Sequence, residues 1–201
     1  GETSQGEPRL YENTTPVEPP HDEKYHLSED LADKAVTWLR QHRSYAPDKP
    51  FLMYWAPGAG HGPHQIFKEC ADNYKRRFDD GWDAMRERVF KRQKELGWIP
   101  ADTKLTARPE SMASWDSIPA NQRAFQLRLM EVFAGFCEHT DHHIGQLIAF
   151  LKELGEYENT LIMVISDNGA SAEGGVQGKF TETSFINFVE ESDADILPRI
   201  D

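Results

Sequence analysis

The sequence is poor in cysteine, in positive charge and in long apolar stretches. Its two cysteines, Cys70 and Cys137, in 201 residues cannot build a disulfide-rich scaffold. Lys and Arg number 22 against 34 Asp and Glu, a net charge of −12. Nucleic acid and anionic membrane surfaces reward basic patches, so neither is expected as the main partner. No apolar run is long enough to span a bilayer. A signal-peptide pattern and an initiator Met are also missing, and the chain opening on Gly1 reads as a piece of something longer. What is present suits a folded domain. Hydrophobic residues make up 38% and charged residues 28%, too apolar for an acidic disordered chain. The length fits one domain or a large part of one.

Residues 1–26, with Pro8, Pro16, Pro19 and Pro20, read as an extended, solvated segment. A helix is expected from Ser28, which can cap it. Glu29 and Asp30 put negative charge in its first turn, and Leu31, Ala35, Trp38 and Leu39 share a face. Residues 51–55 (FLMYW) are apolar on both alternations and too few for a helix, which predicts a buried strand. A loop with Gly58, Gly60, His61, Gly62, Pro63 and His64 follows. Residues 66–97 carry a charged helical pattern, with Gly81 as an interruption and Gly97 as a stop. Residues 100–119 read as irregular. A long helix is expected over about 121–154, its buried stripe traced by Met130, Phe133, Cys137, Ile144, Leu147, Ile148, Leu151 and Leu154, with Gly155 as its end. Residues 160–165 (TLIMVI) predict a second buried strand. Helix, strand, long helix, strand is an α/β order, expected to give a largely parallel sheet covered by helices.

Ligands of open parallel sheets sit beyond the carboxyl ends of the strands. Two polar groups fall there: Gly60-His61-Gly62-Pro63-His64 after the first strand and Asp167-Asn168-Gly169 after the second. Asp167 and Asn168 offer hard oxygen donors suited to Ca²⁺ or Mg²⁺, although Asp-Asn-Gly is also a common turn. His61, set between glycines, can bind an oxyanion or give a proton to a leaving group; the plainer alternative is a loop histidine in water. His139 and His143 are spaced to share a helix face and clamp a transition metal, with His142 beside them. Asp141, however, continues the apolar stripe, so it is expected inside as a structural carboxylate and the histidines outside as a solvated face. Cys137 is expected to be an inert core residue, and no activating environment is visible around Cys70.

The motif order resembles the sulfatase family. Thr140-Asp141-His142-His143-Ile144-Gly145 is similar to that family's Asp-x-x-Ile/Val-Gly helix. Glu158-Asn159-Thr160 and the apolar run leading to Ser166-Asp167-Asn168-Gly169 match the segment that follows it. Residues 50–57 with His61-Gly62-Pro63-His64 resemble its strand and His-x-Pro segment. The likeness is nearest to large bacterial arylsulfatases, soluble enzymes of the cytoplasm or periplasm, with residues 66–119 as a charged helical insertion. It implies an alkaline-phosphatase-like α/β fold with a mostly parallel sheet, present only in part. In that division, 1–26 is an N-terminal extension, 27–178 the central part of the catalytic domain, and 179–201 a tail leading into a missing C-terminal part. It also implies hydrolysis of small sulfate esters by a formylglycine nucleophile and a divalent metal, usually Ca²⁺. Asp167 and Asn168 would then be metal ligands, and His61 would contact the sulfate and protonate the leaving alcohol. The nucleophile motif, Cys/Ser-x-Pro/Ala-x-Arg, is matched by neither cysteine, so the chain is expected to need the rest of a parent chain and to be inactive alone. A phosphodiesterase or phosphonate hydrolase of the same superfamily is the alternative, and a non-catalytic protein binding Zn²⁺ through His139, His142 and His143 the third.

Overall fold

A computed structural model describes residues 4–62, 64–166, 178, 184, 187–189 and 191–200. In chain order these form an antiparallel hairpin, β1 (Leu10–Glu12) and β2 (Thr15–Val17), then helices α1 (Leu27–Tyr45), α2 (Lys68–Asp72), α3 (Gly81–Glu95) and α4 (Ala120–Glu153), with a short α5 (Asp193–Ile196). The N-terminal segment is therefore not wholly extended. Leu10 pairs with Val17 and Glu12 with Thr15, and the chain reverses through Asn13 at φ +57°, a conformation asparagine tolerates better than most residues.

Helix α1 begins one residue before the expected cap. His26 takes that role, its Nδ1 accepting the Ser28 N–H at 3.2 Å. Its other nitrogen donates to the Gln65 carbonyl at 3.0 Å, and the Leu27 N–H is satisfied by the Gln5 carbonyl at 2.8 Å. Ser28 is wholly buried instead, with its hydroxyl on Gln5 Oε1. Leu27, Ala32, Ala35 and Leu39 form the covered face. Trp38 was expected among them but is 42% exposed, stacked on His42 one turn on.

The charged segment 66–97 divides at Gly81, as its sequence suggests. Gly81 has φ +75°, and a Cβ there would collide with the Trp115 ring. Trp115 is buried, packs edge-on against Trp82 and donates its backbone N–H to Asp83 at 2.8 Å. Helices α3 and α4 both stop at a glycine in the left-handed region, Gly97 and Gly155. In each, the glycine N–H and the next N–H reach back to two late carbonyls, which satisfies groups the helix end would leave bare.

Helices α1 and α2 both pack on α4. Gly135 lets α2 approach so closely that an added Cβ would lie 2.8 Å from the backbone of Cys70 and Ala71. Beside this contact, Arg128 bonds Glu131 at 3.0 Å and Asp72 at 2.9 Å, while Glu131 also accepts the Arg76 N–H. At the other end of α4, Phe150 and Leu151 form a core with Leu39, flanked by Phe51 and Met53.

Several expectations are corrected here. The face of α4 that is covered carries Gly135, Phe136, Thr140 and His143. Cys137 and Asp141 lie on the neighbouring face and are exposed. The helix is apolar on more than one face, and α1 and α2 cover the face where Gly135 allows close approach. Residues 51–55 are extended, with Phe51, Met53 and Trp55 half-buried and Leu52 and Tyr54 about nine-tenths exposed. Residues 161–165 are exposed throughout. Neither stretch pairs with a strand among the described residues, where the only sheet is the β1–β2 hairpin. An apolar strand is buried only when neighbours pair with it and helices cover both faces, and here helices cover one face of the first stretch alone.

Two substitutions test this packing by urea unfolding. Arg128→Ala should cost about 3 kcal/mol, because Glu131 would be left buried without its cation; a loss below about 1 kcal/mol would mean the pair behaves as a surface one. Gly135→Ala should cost about 1–3 kcal/mol by forcing α2 away from α4, and an unchanged midpoint would contradict the close approach.

Candidate functional site

The loop after residues 51–55 is built on Gly60, which sits at φ +92° where side chains are strained. His61 donates its backbone N–H to the Gly58 carbonyl at 3.1 Å. Its Nδ1–H reaches the Gly62 carbonyl at 2.7 Å, so the acceptor nitrogen of the neutral ring is Nε2. The imidazole is exposed. His64 does different work. It is half-buried, with its ring edge-on to Phe133 at 5.2 Å and close to Phe136. Burial pushes it below the usual imidazole range. It pins the loop to α4. Asp167 and Asn168 lie outside the described residues.

A second group forms where α1 meets α4. Contrary to the expectation of a solvated face, His143 is buried and His139 half-buried. Their Nε2 atoms are 3.2 Å apart. The His143 Nδ1–H donates to Gln146 Oε1 at 2.8 Å, and the Gln146 amide donates to His142 Nε2 at 3.3 Å. Ligand atoms of Glu29, His139 and His143 all lie within 4.8 Å of one another. His26 lies tilted against His139 with ring centroids 4.4 Å apart, and Phe67 closes the side. Burial, with His26, His143 and His142 close by, pushes the His139 imidazole down to about 4. Burial also lowers His26. Sequence reasoning did not find Glu29 or His26 in this group. Their only local signal is a place in the first turn of a helix, and the contact with α4 is tertiary.

Burial pushes the thiols of both cysteines up. Cys70 is half-buried, and burial together with Glu69 and Glu138 pushes its thiol up, away from the thiolate that reacts. No helix among the described residues is long and apolar enough to cross a membrane.

Comparison with known proteins supplies the remaining observations. The sulfatase family pattern matches residues 2–187. An uncharacterised sulfatase of Schizosaccharomyces pombe is 34% identical over 166 residues, covering 81% of this chain and 29% of that protein. An arylsulfatase of Klebsiella aerogenes is 28% identical over 160 residues, covering 80% of this chain and 33% of that protein. The chain thus spans about a third of the length of the curated relatives it matches.

The buried imidazoles have a pH consequence. His26, His64 and His139 all titrate below 6.5 in the folded chain and near about 6.5 when unfolded. Their neutral forms favour folding, so this stability is complete above about pH 6.5 and drains as pH falls toward 4. The thermal midpoint should be lower at pH 5 than at pH 7.5; equal midpoints would show that these rings are not held neutral by the fold.

Proposed function

The chain belongs to the sulfatase family, and on that premise we propose that it is the central part of an enzyme hydrolysing small sulfate esters. Because it spans about a third of its relatives, the activity proposed is that of the whole protein. The observation that carries the reading is the order of motifs within residues 2–187: His61-Gly62-Pro63-His64 after one apolar run, and Ser166-Asp167-Asn168-Gly169 after another. In this reading residues 51–55 and 160–165 are strands of a mostly parallel, alkaline-phosphatase-like sheet. The alternating exposure of Phe51 to Trp55 supports the first, since a strand turns successive side chains to opposite sides.

Hydrolysis of a sulfate ester builds negative charge on the bridging oxygen and on the sulfate, and the groups that matter are those that meet this charge as it develops. His61 is proposed to contact the sulfate and to give a proton to the departing alcohol. In the protonated ring, Nε2–H can give up that proton while Nδ1–H stays on the Gly62 carbonyl. Asp167 and Asn168 are hard oxygen donors, and that chemistry fits a divalent ion such as Ca²⁺ or Mg²⁺. Such an ion, when bound, supplies positive charge to the sulfate oxygens. The formylglycine nucleophile of the family needs Cys or Ser in its motif. Cys70 is followed by Ala71-Asp72 and Cys137 by Glu138-His139, so the nucleophile is proposed to lie in the rest of the parent chain.

The purified 201-residue chain should show negligible turnover of an aryl sulfate, and robust turnover would overturn this division of the site. In the parent enzyme, His61→Ala should lower kcat by about 100-fold. An unchanged kcat would remove His61 from the chemistry. A parent enzyme that turns over phosphonate monoesters and leaves aryl sulfates intact would favour the phosphonate hydrolase reading.

A further inference from the structure

The histidines around α4 are not equivalent once their hydrogen bonds are assigned. Both nitrogens of His26 are committed to backbone, one accepting from Ser28 N–H and one donating to the Gln65 carbonyl. His142 Nε2 is held by the Gln146 amide. His64 Nε2 faces the Gly60 carbonyl. Only His139 and His143 point nitrogens at each other, 3.2 Å apart. The His139 Nδ1 is buried and meets no hydrogen-bond partner among the described residues. His143 has a partner at each nitrogen, so the pair departs from the usual satisfaction of buried polar groups only at His139 Nδ1.

We propose that Glu29, His139 and His143 form a binding site for a borderline first-row divalent cation of the Zn²⁺ class. Three observations converge on it. Their ligand atoms lie within 4.8 Å of one another. The separation of the two Nε2 atoms, 3.2 Å, suits a tetrahedral ion: with Zn–N bonds of about 2.05 Å, two ligand nitrogens lie about 3.3 Å apart. Gln146 accepts the His143 Nδ1–H, which fixes the tautomer with its lone pair on Nε2 and orients the ring, the task that outer partners of metal-bound histidine perform. Imidazole nitrogen with one carboxylate favours Zn²⁺ or Co²⁺ over Ca²⁺, which takes six or more oxygens. Three protein ligands leave a fourth position for water. Glu29 comes from the first turn of α1 and the histidines from successive turns of α4, so the ion would staple the two helices together. The site uses none of His61, Asp167 or Asn168, and its test does not depend on ester hydrolysis.

The chain, stripped with a chelator, is titrated with Co²⁺, read by the visible d–d bands of tetrahedral cobalt, and with Zn²⁺ by calorimetry. One ion per chain is expected, with no displacement by Ca²⁺. Glu29→Gln and His139→Ala should each weaken binding by about tenfold or more, while His142→Ala and Asp167→Ala stay within about twofold. Glu29 is exposed, so Glu29→Gln should keep its circular dichroism and decides the matter if a histidine variant fails to fold. Absence of stoichiometric binding, or unchanged affinity in Glu29→Gln, would overturn the site. A loss in His142→Ala equal to that in His139→Ala would overturn it in favour of a three-histidine cluster. A loss in Asp167→Ala would overturn it by placing the ion at the oxygen donors.

Discussion

The double engagement of His26 ties the molecule together. One imidazole, kept neutral by burial, accepts from the first turn of α1 and donates to the Gln65 carbonyl in the segment leading to α2. A neutral ring can do both at once; a protonated ring has two donors and no acceptor, and the cap would be lost. The same ring lies against Phe67, Phe136 and His139. The start of α1, the approach to α2 and the middle of α4 are thereby held in one arrangement. The His61 loop, pinned by His64 to the same patch of α4, inherits its position from it.

The helices were largely legible because their determinants are local. Gly81, Gly97 and Gly155 break or end helices through backbone freedom that other residues lack, and each stands at positive φ. The strands were not legible to the same degree. The apolar runs at 51–55 and 160–165 state that a strand would be comfortable if covered, but pairing and cover come from other chain segments. The face of α4 was misjudged for a related reason. A stripe through Phe133, Cys137 and Asp141 is as regular as one through Phe136, Thr140 and His143. What chooses between them is the close approach at Gly135, which leaves no periodic trace.

For the site, the exposed His61 on a glycine loop was readable from its neighbours, since glycines on both sides announce a backbone that bends tightly. The couple Asp167-Asn168 is proposed from chemistry and motif order, and it lies outside the described residues. The histidine group was read as a helix-face pattern, yet its third donor came from another helix. Glu29 looks like an ordinary acidic residue near a positive helix end. Only the crossing of α1 over α4 gives it a second meaning.

Helix α4 carries both packed regions on one continuous rod. Its 34 residues make it about 51 Å long, with Arg128 in its first half, α2 against its middle at Gly135 and the Leu39 core near its end. A rigid body of that length is a lever. A tilt of one degree about one end moves the other by about 0.9 Å over such a span. Changes in how the charged segment 66–119 seats on the rod are therefore felt at its last turns, where Phe51 and Met53 pack against Phe150 and Leu151. Variation in that segment is a means of adjusting residues 51–55 without altering any residue among them.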